Sequence, residues 1–222
     1  MLTTQRHCIF LASILMSIPL AAAEQAPAAP GKSLAERLGY QATDRLLIIN
    51  GDDAGMCHTA NQATIDALEN GLMTSATIMV PCPWFPEIAA YAKAHPQAGF
   101  GVHLTHTCEW KKYRWGPVSG RSVVPGLVDP DGYLWPDIMN VYLHATPEQA
   151  EIEARAQIKM ALAAGIDITH LDSHIGTLQY DLRYYAVYRK LALEFDLPLR
   201  MGSQELLATM GAGNIRAELA AG

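Results

Sequence analysis

A regular alternation of short apolar runs with helical stretches is the feature that most constrains the fold of this chain. Four runs have the length and composition of buried strands: Leu46–Asn50, Ser75–Val80, Phe100–Thr105 and Ile168–His174. Capping residues and apolar spacing predict helices that open at Thr59, Phe85, Thr146 and Arg183. A short fifth strand is predicted at Leu197–Met201, and a further helix at Glu205–Leu219. Strict alternation of this kind predicts an α/β fold with a parallel sheet, either open or closed.

Carboxylates and imidazoles come at the ends of three of these predicted strands. Asp52 and Asp53 follow the first run, and His103 lies on the third. The fourth run carries His170, Asp172 and His174, which strand alternation places on one face. Parallel α/β folds bring the carboxyl ends of their strands to one edge, where they place their chemistry. Carboxylate and imidazole are also common ligands of divalent metal ions, so the pattern predicts a metal site at this edge.

The amino-terminal segment has the pattern of an export signal. Arg6 and His7 precede an apolar stretch that ends at Leu20, and three alanines follow it. We therefore predict a signal peptide at residues 1–23 and an exported protein, periplasmic if the source is Gram-negative. The apolar stretch is too short for a comfortable membrane crossing, so no stable membrane insertion is expected. Residues 24–44 are predicted to be a flexible lead-in, and residues 45–222 are long enough for one folded domain with a proper core.

Charge and cysteine content limit the partners of the mature chain. Loss of the signal leaves a net charge of −7, because it removes one of the 16 basic residues and none of the 22 acidic ones. An acidic surface argues against nucleic acid and against anionic membranes. Three cysteines remain, Cys57, Cys82 and Cys108. The sequence leaves open whether they are free thiols or whether two of them form a disulfide.

A long segment between Cys108 and Ala145 interrupts the strand–helix rhythm. It is rich in aromatic residues, glycine and proline, and it follows a predicted strand end. Segments of this length are usually functional, so we expect it to cover a substrate. Trp110 and Trp115 are the residues predicted to stack on a sugar ring. The alternative is that the aromatic rings only pack the segment onto the domain.

Three motifs together resemble those of the YdjC/ChbG-like carbohydrate deacetylases. Residues 49–55 are similar to the Asn-Ala-Asp-Asp-Phe-Gly segment with which that family begins. Residues 101–105 resemble its Gly-x-His-x-Thr strand, and residues 169–174 its Thr-His-x-Asp-Ser-His strand. The resemblance runs in consistent order from about Leu46 to Met201, and it is the combination of motifs that makes it specific.

The resemblance implies an incomplete (β/α) barrel related to the polysaccharide deacetylases. It implies one divalent metal ion, Mg²⁺ or Zn²⁺, that is held by Asp53, His103 and His174, with Asp52 as the general base. Asp172 would then hold a ligating imidazole in place. The reaction implied is hydrolysis of the N-acetyl group of an acetylated amino sugar or oligosaccharide, which releases acetate.

Two departures from the family pattern leave parts of this interpretation open. Residues 175–177 are Ile-Gly-Thr, where many members have further histidines, so the sugar is not specified. The chain also lacks a late Glu-x-x-x-His-Pro-Gly-like segment, from which we expect a C-terminally incomplete barrel that is poorly soluble and weakly active. The general acid is unassigned; His170 is a candidate, with an orienting role as its alternative. A metal-containing sugar-binding protein without turnover and another metal-dependent hydrolase are the competing functions.

Overall fold

The sheet and its helices follow one another in the order that the sequence predicts. In this computed structural model, residues 11–12, 33–202 and 208 are described. The strands are β1 Leu11–Ala12, β2 Asn50–Ala54, β3 Ser75–Ile78, β4 Gly99–Leu104, β5 Ile168–Ser173 and β6 Arg200–Met201. The helices are α1 Leu34–Arg37, α2 His58–Glu69, α3 Phe85–Ala94, α4 Ile138–His144, α5 Pro147–Ala163 and α6 Leu182–Phe195. Two short 3₁₀ turns lie at Pro125–Leu127 and His174–Gly176.

The central sheet is parallel, and its four strands are adjacent in chain order. Strands β2, β3, β4 and β5 pair consecutively, and every pairing is parallel. A parallel bridge between Leu171 and Leu199 brings the chain before β6 alongside β5. The two-residue strand β1 pairs in parallel with β6. The predicted parallel α/β fold is therefore confirmed, and the carboxyl ends of β2, β4 and β5 lie at one edge of the sheet.

The first strand lies later in the chain than the apolar pattern indicates. Leu46–Ile49 is not a strand, and its side chains are between 37% and 70% exposed. Pairing with β3 begins at Asn50, which is opposite the first residue of β3, so the apolar run precedes the paired region. The prediction of a buried strand at Leu46–Asn50 is therefore wrong. The residues that form β2 are the more polar ones that follow it.

The remaining predicted elements are found with small shifts of their ends. Strands β3, β4 and β5 and helices α2, α3, α5 and α6 match the predicted segments. The hydroxyl of Thr146 caps α5 as expected, accepting from the Gln149 backbone N–H. Thr59 is not the cap of α2, because that helix already begins at His58 and its N-cap residue, Cys57, makes no capping hydrogen bond. The predicted helix at Glu205–Leu219 lies outside the described residues, apart from Ala208.

The long segment between Cys108 and Ala145, named the cover after its predicted role, is ordered rather than a structureless loop. It contains α4 and one 3₁₀ turn, and polar side chains of α5 hold its backbone. The Glu153 carboxylate accepts from the backbone N–H groups of Val118 and Ser119, both at 2.9 Å. Gln157 bonds both the N–H and the C=O of Thr105, at the start of the same segment. Helix α5 therefore holds the backbone of the cover in place.

Of the predicted signal peptide, the structure describes only Leu11 and Ala12, so this segment stays a prediction. In the predicted lead-in, Ser33 and Glu36 exchange side-chain-to-backbone hydrogen bonds across the single turn of α1. Among the described residues, no helix is both long enough and apolar enough to cross a membrane. Cys57, Cys82 and Cys108 are free thiols, so no disulfide joins any two of them.

Candidate metal centre

An irregularity in β2 brings two consecutive carboxylates to one cavity. Neighbouring residues of a regular strand point to opposite faces of the sheet. In β2 the register shifts between Gly51 and Ala54, and Asp53 has a left-handed backbone with φ of 66°. Asp52 and Asp53 consequently both line the same cavity. Bulges and strained residues of this kind are concentrated next to active sites.

One oxygen of Asp53 lies between two imidazoles. Asp53 Oδ1 is 3.2 Å from His103 Nε2 and 3.2 Å from His174 Nδ1. This oxygen is buried, and among the described residues it has no partner with hydrogen-bond geometry. A buried carboxylate oxygen without a partner is unfavourable, whereas a divalent cation at the meeting point of these three atoms would satisfy it. Two imidazole nitrogens and one carboxylate oxygen are also a donor set that suits Zn²⁺ and leaves further coordination positions open.

Asp172 holds the far nitrogen of His103. The two residues face each other in register across β4 and β5, and His103 Nδ1 is 2.8 Å from Asp172 Oδ2. Burial alone would lower the pKa of His103, but the charge of Asp172, the hydrogen bond to Asp172 and the close approach of Asp53 raise it to about 10. Burial alone would raise the pKa of Asp172, but the charge of His103 and the hydrogen bond to it hold it well below its usual range. The pair thus keeps Nε2 of His103 pointed at Asp53.

A second cluster of possible ligands lies beside this candidate centre, and it contains the guanidinium of Arg200. Atoms of Asp52, His103 and Asp172 are also close enough together to hold an ion. The guanidinium of Arg200 lies there, however, with Nη1 at 2.6 Å from Asp52 Oδ1 and 2.7 Å from Asp172 Oδ2. A cationic side chain therefore already balances the second cluster, and the Asp53 cluster is the better candidate. Sequence reasoning missed Arg200, because nothing in the pattern links β6 to residues 148 positions earlier.

Glu109 is the second residue that sequence reasoning missed. Its Oε2 is 3.1 Å from His174 Nε2, on the side of the ring away from Asp53. Burial alone would lower the pKa of His174, but the close approach of Asp53 and the hydrogen bond to Glu109 raise it. The only sequence signal for Glu109 was its place shortly after the predicted strand that carries His103. His174 itself lies just beyond β5, in the 3₁₀ turn.

His170 is the residue for which the sequence suggested either an acid role or an orienting role. It is only 2% exposed and does not line the cavity, and its Nδ1 is 2.9 Å from the hydroxyl of Thr169. Its Nε2 has no hydrogen-bond partner among the described residues. Burial lowers the pKa of His170 to about 4, so the ring is neutral at physiological pH. The hydrogen bonds of His170 among the described residues therefore support neither an orienting contact with a candidate ligand nor direct protonation of a substrate, and its role stays a prediction.

The two tryptophans predicted to stack on a sugar do not line the cavity. Trp115 is 3% exposed, and its indole N–H donates to the backbone carbonyl of Thr107 at 2.9 Å. A buried ring has no free face for a sugar, so the prediction for Trp115 is wrong and the packing alternative holds for it. Trp110 is 48% exposed, so its surface is available, but outside the cavity walls.

The cavity above the candidate centre has the size of a small-molecule site. Its volume is about 350 Å³. Its polar walls include the side chains of Asp52, Asp53, His103, Glu109, Asp172, His174, Gln179, Tyr180 and Arg200. Four carboxylates among these groups make the cavity suitable for a divalent cation.

Comparison with known proteins places this arrangement in a family context. Residues 46–221 match the family model described as YdjC-like protein. A carbohydrate deacetylase of Brevibacillus brevis is 36% identical over 163 residues, covering 72% of this chain and 62% of that protein. One of Thermus thermophilus is 37% identical over 166 residues, covering 74% of this chain and 56% of that protein.

A solved structure shows the same fold. The crystal structure of an Enterococcus faecalis protein described as a cellobiose-phosphate cleavage protein superposes with a TM-score of 0.63 at 33% identity. The match covers 68% of this chain and 57% of that one. The chain spans about 60% of the length of the curated relatives that it matches.

Proposed function

The chain belongs to the YdjC-like protein family, and we propose that it hydrolyses the N-acetyl group of an acetylated amino sugar or oligosaccharide in a metal-dependent reaction. The carbohydrate deacetylases among its relatives support the reaction class. The observation that carries the proposal is the buried Oδ1 of Asp53, which lies 3.2 Å from a nitrogen of each of two histidines and has no well-formed hydrogen bond within the described part of the chain.

Asp53, His103 and His174 would hold the metal ion. Two imidazoles among three ligands favour Zn²⁺ or a similar ion over Mg²⁺, which prefers a shell of oxygens. When bound, the ion would polarise the acetamide carbonyl and lower the pKa of the attacking water. The protein contributes a rigid frame, because all three ligands lie on or directly beside sheet strands.

Asp52 is the residue placed to move the proton. It lines the cavity next to Asp53, and its Oδ1 accepts hydrogen bonds from Asn50 Nδ2 at 2.7 Å and from Arg200 at 2.6 Å. As water attacks the carbonyl carbon, Asp52 takes the proton of the water. It then returns that proton to the sugar nitrogen as the C–N bond breaks, so the products are acetate and a free amine. His170 does not line the cavity and takes no part in the proposed reaction.

Metal binding and turnover are tested separately. We expect His103→Ala and His174→Ala each to abolish stoichiometric Zn²⁺ binding, while His58→Ala, which removes an exposed imidazole outside the cavity, leaves binding unchanged. Asp52→Asn should keep the metal but lose about a hundredfold or more of the rate of acetate release from chito-oligosaccharides. Unchanged metal content in both ligand variants would refute the assignment.

The competing functions give different results in the same assays. A metal-containing sugar-binding protein would bind chito-oligosaccharides and Zn²⁺ without releasing acetate. Another metal-dependent hydrolase would bind the metal, fail to release acetate, and act on other substrates in a panel of esters, amides and phosphosugars.

We also propose that the protein is exported, on the basis of the signal-like residues 1–23. Cell fractionation with mass spectrometry of the mature amino terminus tests this. Detection of an uncleaved chain in the cytoplasm alone would contradict it.

A further inference from the structure

The two imidazoles of the candidate centre are paired with carboxylates on both ring nitrogens. One nitrogen of each ring faces Asp53 Oδ1, at 3.2 Å in both cases. The other nitrogen of His103 meets Asp172 at 2.8 Å, and the other nitrogen of His174 meets Glu109 at 3.1 Å. The inner nitrogen is Nε2 in His103 but Nδ1 in His174, so the two rings approach the centre by opposite atoms.

We propose that Glu109 is a positioning residue that selects Nδ1 of His174 as the metal-binding nitrogen. The proposal rests on the proposed metal-dependent function. A neutral imidazole carries its proton on one nitrogen and binds a metal through the other. The Glu109 carboxylate accepts the proton on Nε2, and this fixes both the tautomer and the orientation of the ring. Hydrogen bonds of this kind also raise the basicity of a ligating histidine.

The surroundings of the two histidines explain why His174 needs such a partner. His103 lies within the sheet, where its Nδ1 is also 3.3 Å from the hydroxyl of Thr77 on the neighbouring strand β3. His174 lies beyond the end of β5, directly before Ile175, whose backbone is left-handed with φ of 43°. The side chains of the two histidines are equally buried, at 4% exposure, but the outer nitrogen of His103 is held from neighbouring strands, whereas that of His174 meets Glu109. Glu109, near the start of the cover, contacts Nε2 of His174, the ring nitrogen that faces away from Asp53.

Glu109 remains partly open to the cavity, which distinguishes it from Asp172. Its side chain is 39% exposed, whereas that of Asp172 is 3% exposed and shared with Arg200. Because no second protein cation holds Glu109 among the contacts of the described residues, its replacement should act mainly through His174. This makes Glu109 the cleaner of the two carboxylates for an experiment.

The test compares Glu109→Ala and Glu109→Gln with wild type in the full chain. Zn²⁺ affinity is measured by competition with a chromophoric chelator. We expect Glu109→Ala to weaken binding about 10- to 100-fold. Glu109→Gln should weaken Zn²⁺ binding less than Glu109→Ala does, because the glutamine amide oxygen can still accept the hydrogen bond from His174 Nε2. Glu87→Gln is the matched control. Glu87 also pairs with a histidine, since its Oε1 is 2.8 Å from His58 Nδ1, but this pair lies outside the cavity. It should leave the affinity unchanged.

Spectroscopy distinguishes a positioning role of Glu109 from a purely structural one, because it reports which nitrogen of His174 carries the proton. Histidine-selective NMR of the Zn²⁺ form should show the proton of His174 on Nε2 in wild type. In Glu109→Ala, the resonance of this proton should broaden or disappear, because without its acceptor the proton exchanges faster with water. The visible spectrum of the Co²⁺ form should keep its band shape in both variants, because Glu109 is not itself a ligand.

Three results would overturn the proposal, and they are distinguishable. Glu109→Ala with wild-type Zn²⁺ affinity would refute the positioning role while leaving the metal site intact. A changed Co²⁺ band shape would show that Glu109 is a direct ligand instead. Failure of the wild-type chain to bind any divalent metal would refute the proposed function, and the role of Glu109 with it.

Discussion

Replacement of Arg200 by glutamine should destabilise the metal-free protein far more than loss of an exposed arginine does. Arg200 Nη1 lies 2.6 Å from Asp52 and 2.7 Å from Asp172, and its side chain is 25% exposed. Removing one partner of a buried pair costs about 3–5 kcal/mol. We reduce this to roughly 2–4 kcal/mol, because Arg200 is partly in solvent and Asp172 keeps its contact with His103. At about 3 °C per kcal/mol, the expected fall in melting temperature is about 6–12 °C.

The pH dependence of this effect follows from the carboxylate. The pKa of Asp172 is raised by burial, but the charges of His103 and Arg200 lower it on balance. A carboxylate with a depressed pKa adds stability that is present above its unfolded pKa of about 4 and is lost as the pH falls. The stability deficit of Arg200→Gln should therefore be complete above about pH 4 and shrink below it, as Asp172 of wild type becomes protonated.

The assay is urea unfolding followed by circular dichroism in the presence of a chelator, repeated between pH 2 and 8. Arg183→Gln is the control, because Arg183 pairs with Asp181 at a similar distance of 2.8 Å but its side chain is 63% exposed. Water screens such a pair, and the control should hardly change the unfolding midpoint. Equal losses for the two variants, or a deficit for Arg200→Gln that does not change with pH, would refute the reasoning.

Three further predictions concern residues around the centre. The pKa of His103 is raised to about 10, so its pair with Asp172 stabilises the fold fully between about pH 4 and 6.5, and this stability is lost as the pH rises toward 10. Urea midpoints of the metal-free protein should therefore fall above about pH 6.5, and a flat profile would contradict this. Gly101→Ala should destabilise the fold by roughly 1–3 kcal/mol, because its new Cβ would lie 2.6 Å from the backbone carbonyl oxygen of His170 and 2.7 Å from two of its ring carbons. Calorimetry should show this loss but little change for Gly116→Ala, whose Cβ would meet an ordinary contact at 3.4 Å. Ile175→Asn should raise the free energy of unfolding by roughly 1 kcal/mol, because asparagine tolerates a left-handed backbone better than a β-branched residue does. Ile175 has φ of 43° and is 42% exposed, so little packing is lost. A lower melting temperature of the variant would show that the Ile175 side chain contributes to packing.

The sequence by itself determined the order of strands and helices and the residues that can serve as ligands. Apolar periodicity and helix caps depend on neighbouring residues, so α3, α5 and β5 were predicted closely. The parallel sheet follows from the alternation of strand and helix. A parallel sheet also gathers its carboxyl ends at one edge, which is why side chains on β2, β4 and β5 could be predicted to converge.

Only the tertiary structure decided how those side chains meet. The bulge that turns Asp52 and Asp53 to one cavity is a backbone irregularity that hydrophobic pattern does not encode. The pairing of Arg200 with Asp52 joins residues 148 positions apart. Likewise, the burial of Trp115 depends on how the cover after β4 packs, and composition alone could not separate that from a sugar platform. Periodicity reports which face a residue shares with its neighbours, whereas contacts between distant segments arise only when the whole chain is packed.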